Sequence, residues 1–512
     1  MRVIQRSTLV LLATLLLACG GGSGGRSDSA PGASPPRGTL LQSPPELLST
    51  VKASDLLLEL NTAANQQLLS LSGPPVCDIL TYHIEYSTVG GANEATTASA
   101  ALMVPTGFGA NCTGKRPIVL YAHGTSTDRS FNMTDMSNAE TLSLAALFAS
   151  QGYIIVAPNY AGYDTSTLAY HPYLIADQQS KDMIDALTAA RVALPFASVT
   201  LTKDSGQLFI TGYSQGGYVA MATHRAMQAA GMTVTASAPM SGPYALGAFV
   251  DAVFYGEVNG SGPVSSTLLL TAYQRVYGNI YANAVDVFEP QYATGIDSLL
   301  PSTTPRSQLY AEGKIPEFAL FSSTPPAPAF ASITPPSTPT NLAAVFALGF
   351  GAGNLLQNSY RLSYLQDAQA HPDGGFPAVT TGLAAASPAL PWRQALQLND
   401  LRNWVPTVPV QLCGGAVDPL VFWFNSRLMQ NYWASQPSAA PISMLDLESA
   451  VSANDPYGSL KQEFEIAKAL IAATAVAQGA TDGGAFAVAE AYHATLVAPF
   501  CFAATRSFFA NP

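Results

Sequence analysis

The chain has 512 residues, 48% of them hydrophobic and only 11% charged. That leaves material for a large buried core and excludes a disordered chain, whose composition is the reverse. Acidic residues outnumber basic ones, 33 to 22, for a formal net charge of −11, so no basic surface large enough to follow a phosphate backbone is expected, and no nucleic-acid partner.

Arg2 and Arg6 precede an apolar run, Ser7 to Ala18, that is too short to span a bilayer. This is the pattern of a signal peptide over residues 1–18. It ends in Leu16-Leu17-Ala18-Cys19, which resembles a bacterial lipobox. The resemblance implies cleavage before Cys19, a lipid on its sulfur and, with Gly20 following, an outer-membrane lipoprotein. Ordinary secretion with an incidental cysteine is the alternative. Residues 19–45 are rich in Gly, Ser and Pro and read as a flexible tether off a membrane surface. Four further cysteines, Cys77, Cys112, Cys413 and Cys501, suggest two disulfides in an exported chain. Neither Cys-x-x-Cys nor His-Glu-x-x-His occurs, so no metal site is expected.

From Pro45 to Ser72 the spacing is helical. Asp78 to Val104 holds short alternating runs that read as antiparallel strands. Then the rhythm changes. Pro117–Tyr121 is a continuous apolar strand, Asn138–Ser150 a helix, Tyr153–Ala157 a strand, Ala176–Leu194 a helix, Gln207–Thr211 a strand, Ser214–Ala230 a helix and Val234–Ala238 a strand. Apolar strands alternating with helices indicate an α/β fold with a mostly parallel sheet covered on both faces. The pattern stops near Gly242 and resumes with strand Val408–Leu412, a helix over Pro419–Ser435 and a last strand Ile442–Leu447. Residues 243–400 therefore read as a large insertion into a core made of residues 46–242 and 401–512, and Leu460–Gln478 as a helix in a second, smaller one.

Gly212-Tyr213-Ser214-Gln215-Gly216 fits Gly-x-Ser-x-Gly. Alone the pattern is weak, since Gly21-Gly22-Ser23-Gly24-Gly25 fits it too. Ser214, however, follows a strand and opens a helix, the setting of a nucleophile elbow, in which a strained turn exposes the serine hydroxyl at the carboxyl edge of the sheet. Serine needs a base, and in this arrangement the chain order is Ser, acid, His. Asp418 follows strand Val408–Leu412, and His493 is the only histidine after it. Asp400, Asp446 and Asp482 are the runner-up acids. The oxyanion donors are expected from the Gln215 amide and from the loop after the first central strand, His123-Gly124-Thr125-Ser126, with Gly124 and Thr125 as candidates. His123, Tyr213 and Tyr163 lie on the same edge and are candidates to contact substrate; Asp164 reads as a turn residue.

His123-Gly124, the Ser214 elbow, Asp418 and His493 together resemble the α/β-hydrolase superfamily. The large insert between elbow and acid resembles the secretory lipases of the lipase A type. The resemblance covers residues 75–242 and 400–505 and implies an exported serine carboxylic-ester hydrolase acting through an acyl-enzyme, with no cofactor. Its substrate would be an apolar small-molecule, lipid or polymer ester, with the insert as a cap over the site. A polyester or aromatic-ester hydrolase falls within that class. A serine peptidase of the prolyl-oligopeptidase type is the alternative, though only about thirty residues separate the tether from the first strands, too few for that family's usual extra domain. Cys413 ends the strand that presents Asp418, and Cys501 lies about two helical turns past His493. Both that placement and the resemblance point to Cys413–Cys501, leaving Cys77–Cys112.

Overall fold

A computed structural model describes residues 35–512 except 198–200 and 438; the expected signal peptide, Cys19 and most of the expected tether lie outside the described residues. Among the described residues nine strands form one sheet: β1 (Glu46–Val51), β2 (Asp78–Val89), β3 (Ala95–Thr106), β4 (Gly114–Ala122), β5 (Ile154–Pro158), β6 (Thr202–Tyr213), β7 (Ala236–Met240), β8 (Val410–Gly414) and β9 (Ile442–Asp446). Their order is β1-β2-β3-β5-β4-β6-β7-β8-β9. The first three pair antiparallel, β2 and β3 as a hairpin, β3 meets β5 antiparallel, and all later pairings are parallel.

The central strands are the ones the composition favoured. β5 and β7 are buried at every position, as strands covered by helices on both faces must be. The helices Ala176–Ala193 and Gln215–Ala229 and the C-terminal stretch Ala485–Ala510 supply that cover. The last is long and apolar enough to cross a membrane by length and composition alone. Here its Phe500, Cys501 and Phe502 are buried in the core cluster that backs β4, β6 and β7.

Three expectations need correction. The helical spacing of Pro45–Ser72 starts with a strand: Glu46–Val51 adds to the sheet edge by pairing with Ile79–His83, and helices follow only at Ala53–Leu60 and Gln66–Ser72. An available edge overrode local propensity. Residues expected to belong to the tether already join the fold at Arg37 and Gly38. Gly38 donates to the carbonyl of Ser87 at 2.8 Å, and Arg37 pairs with Asp185 at 2.9 Å. The helix expected from Pro419 begins only at Phe424, because Leu420 and Val421 give their amides to the Asp418 carboxylate instead.

Between β7 and β8 lies a segment of loops and helices, the latter including Leu246–Phe254, Gly262–Tyr277, Asn358–Ala370 and Pro391–Asn399. Two buried ion-pair groups brace it: Arg393 with Asp251 and Asp367, and Arg402 with Asp373 and Asp400. Both disulfides are formed. Cys77–Cys112 and Cys413–Cys501 have Cα separations of 5.3 and 5.6 Å, within the range a bridge permits.

Candidate active site

Ser214 stands between β6 and the helix Gln215–Ala229 with φ 59° and ψ −120°, a conformation that costs a residue with a Cβ on the order of 1–3 kcal/mol. The flanking glycines make the turn possible. A Cβ on Gly216 would lie 1.9 Å from the carbonyl oxygen of Ala122 at the end of β4, and one on Gly212 would lie 2.3 Å from the carbonyl oxygen of Gly216. The Ser214 amide donates to Met240 at the end of β7, at 3.1 Å. The elbow is thus clamped between two neighbouring strands.

His493 occupies the point where the C-terminal helix widens into a π turn, Tyr492–Val497, a distortion that often marks a functional position. Its Nδ1 lies 2.7 Å from Oδ2 of Asp418. The other oxygen, Oδ1, accepts from Leu420 N at 2.9 Å and from Val421 N at 3.0 Å. Those two donors and the imidazole orient the carboxylate. With Nδ1–H given to Asp418, His493 presents its bare Nε2, which is buried and has no hydrogen-bond partner among the described residues. The Tyr213 hydroxyl donates to the carbonyl of His493, with ring centroids 4.9 Å apart. Nothing in the sequence signals that bond, because 280 positions separate the two residues.

Ser214 and His493 both line one cavity of about 880 Å³. Its walls include Phe249, Val253, Leu269 and Trp392 from the segment between β7 and β8. The runner-up acids are engaged elsewhere. Asp400 pairs with Arg402, Asp446 accepts the amides of Ala416 and Glu448, and Asp482 those of Gly484 and Phe486.

Two of the three proposed substrate contacts are not on the wall. His123 is fully buried, its ring stacked 4.1 Å from Tyr160 and 4.4 Å from Phe131, and burial pushes its pKa down to about 4. Tyr163 is buried with its hydroxyl donating to the carbonyl of Ser126 at 2.6 Å. Both support the loop from behind; aromatic rings at these positions are consumed by packing. Tyr213 does line the cavity, with its hydroxyl committed to His493. Asp164 is not simply a turn residue: it accepts from Ser99 at 2.6 Å and lies 2.7 Å from His83 Nε2.

The loop after β4 also departs from expectation. The Gly124 amide donates to Glu140 Oε1 at 2.9 Å, so it is not free to serve an oxyanion. The amides of Thr125 and Gln215 meet no acceptor among the described residues. The Gln215 side chain donates at 2.7 Å to His171 Nε2, whose Nδ1–H goes to Ala161 O at 3.0 Å. Burial pushes the His171 pKa down to about 3, which keeps the ring neutral and able to accept.

Comparison with known proteins bears on the fold and class. The model of the prolyl oligopeptidase family matches residues 140–249, less than half of the chain and including the elbow. No curated protein matches. Among solved structures, the rice cell wall degrading esterase LipA from Xanthomonas oryzae is similar at a TM-score of 0.62 and 25% identity, over 85% of this chain and 96% of that one. The Legionella pneumophila protein lpg1103 shares the fold at a TM-score of 0.58 and 18% identity, over 83% of this chain and 95% of that one. Candida antarctica lipase A, at 0.47 and 11%, is too distant to bear on the narrower resemblance to its type. The fold is that of the α/β-hydrolases, and the chain is a hydrolase of that class.

Proposed function

We propose that the protein is an exported serine carboxylic-ester hydrolase in which Ser214 is the nucleophile, His493 the general base and Asp418 the orienting acid. The observation that carries this is the Asp418–His493 contact at 2.7 Å, which leaves a buried, unpartnered Nε2 on the cavity that holds the strained Ser214. In this reading Ser214 Oγ attacks the ester carbonyl as its proton passes to Nε2. The amides of Gln215 and Thr125 receive the oxyanion, and the histidine proton leaves with the alcohol. Water, deprotonated by His493, then releases the acid and restores the serine.

The segment 243–400 acts as the cap, its apolar side chains lining the acyl site. The similarity to an esterase of cell walls favours ester over amide. Export is supported by the two disulfides, which persist in oxidising compartments, and by Arg2, Arg6 and the apolar run to Ala18. On the same reading Cys19 carries the lipid anchor.

The match to the prolyl oligopeptidase family over residues 140–249 favours a second reading, a serine peptidase. Nitrophenyl esters of graded acyl length tested against aminoacyl nitroanilides separate the two. Ester turnover that is lost in Ser214→Ala, by on the order of 10⁴ to 10⁶ in kcat, supports the proposal. Faster anilide than ester turnover overturns it in favour of the peptidase.

A further inference from the structure

Glu140 is a half-buried carboxylate on the cavity wall with no role in the chemistry above. It is the second residue of the helix Ala139–Leu147, whose first turn is capped by Asn138 Oδ1 accepting the Glu140 amide at 2.8 Å. Its Oε1 receives two donors, the Gly124 amide at 2.9 Å and the Tyr121 hydroxyl near the end of β4. No cation forms an ion pair with it among the described residues, and burial pushes its pKa up to about 7.

The loop it grips is pinned at each step. Gly124 is held through its amide by Glu140, Thr125 through its hydroxyl by Tyr173 at 2.8 Å, Ser126 through its carbonyl by Tyr163, and Thr127 through its carbonyl by the Ser302 amide at 2.8 Å. The Thr125 amide is left over, and Thr125, Glu140, Ser214 and Gln215 share the cavity wall.

We infer that Glu140 is a positioning residue: by consuming the Gly124 amide it fixes the loop so that the Thr125 amide is the one presented to the oxyanion. This rests on the serine-hydrolase reading of Ser214. Its action is through hydrogen-bond acceptance, not contact with substrate. The expected signature is therefore a change in kcat at nearly constant KM.

The test compares Glu140→Leu, Glu140→Asp and Glu140→Gln with the unmodified enzyme on a short-chain nitrophenyl ester. Ser214→Ala and labelling by a fluorophosphonate serve as controls. Leucine removes the acceptor, and aspartate keeps the charge but is one methylene too short to reach Gly124. Both should lower kcat by roughly 10- to 100-fold with KM within about twofold, less than the full loss of an oxyanion donor. Glutamine keeps an oxygen at the Oε1 position and should restore kcat to within about threefold. If leucine disrupts folding, judged by thermal melting, the aspartate and glutamine pair decides alone. Wild-type kcat in the aspartate variant, a glutamine variant as slow as aspartate, or a loss confined to KM each overturns the inference. Activity or labelling retained in Ser214→Ala overturns the hydrolase reading instead, so the two failures are distinguishable.

Discussion

The residue that precedes Ser214 holds His493: the Tyr213 hydroxyl donates to the main-chain carbonyl of His493. One end of the link is the last residue of β6, the other a π turn in the C-terminal helix. The turn thereby sits over the elbow with its imidazole beside the Tyr213 ring, 4.9 Å between centroids. The same tyrosine thus belongs to the strand that presents Ser214 and to the contact that places His493.

Tyr213→Phe removes that donor and leaves a buried carbonyl without a side-chain partner. The fold should survive with a loss of about 1–3 kcal/mol, read from denaturant melting. Because the imidazole is no longer fixed over Ser214, kcat should fall by roughly tenfold while KM stays level, since misplaced catalytic groups cost rate more than binding. A variant with unchanged kcat would show that the Asp418 contact alone positions the ring.

Asp418→Asn should reverse the histidine's hydrogen bonding. The asparagine amide can present N–H toward Nδ1, which favours the tautomer carrying its proton on Nε2 and unable to accept from Ser214. In other serine hydrolases the equivalent change costs about 10⁴ in kcat. Stability should change far less, because the side-chain oxygen can still accept from Leu420 and Val421. Steady-state kinetics and thermal melting together check this.

Gly216→Ala tests the elbow by geometry. The new methyl would start 1.9 Å from a backbone oxygen of β4, and no rotamer relieves a Cβ contact. β4 and the elbow helix must separate, so the variant should lose activity and melt at lower temperature. Gly231→Ala is the contrast: no atom lies within 4 Å of its Cβ position, though its φ of 67° still strains an alanine. It should keep full activity with a stability loss on the order of 1 kcal/mol.

Cys413→Ser with Cys501→Ser opens a loop of 88 residues. In the chain-entropy model that removes about 4–5 kcal/mol. The bridge joins the end of β8, five residues before Asp418, to the helix that carries His493. Loss of hydrolase activity should therefore precede global unfolding on heating, as activity and circular dichroism measured in parallel would reveal.

Glu257 supplies a pH dependence. It lies on the cavity wall among Phe249, Val253 and Leu269, and burial pushes its carboxyl pKa up to about 7. A raised carboxyl pKa means that the neutral form prevails below that value and the charge appears as pH rises through it. KM for a long-chain ester should therefore increase between about pH 6 and about pH 8, by roughly three- to tenfold if the charge faces the acyl chain. Glu257→Leu should flatten that rise and lower KM at the alkaline end. A KM that rises equally in the variant would assign the effect to another group.

Much of the candidate site could be proposed from the chain because its cues are local. A strand, Gly-x-Ser-x-Gly and a helix must occupy consecutive residues, since the turn is made by backbone sterics. Asp418 could be chosen because it directly follows a strand, and His493 because no other histidine lies beyond it. Four cysteines left after Cys19, in a chain with an export pattern, implied two bridges.

What the sequence could not decide were matters of which group meets which across the fold. Glu46–Val51 carries helical spacing but became a strand, since the edge of β2 offered hydrogen bonds that a helix would have left unused. His123 and Tyr163 have the right chemistry for substrate contact, yet the aromatic packing behind the loop claimed both. Gly124 and Thr125 are equivalent donors as residue types. Only Glu140, sixteen positions away and brought in by the following helix, takes one amide, while the other meets no acceptor among the described residues. Local backbone geometry is written in neighbouring residues; the occupancy of a donor depends on everything that packs against it.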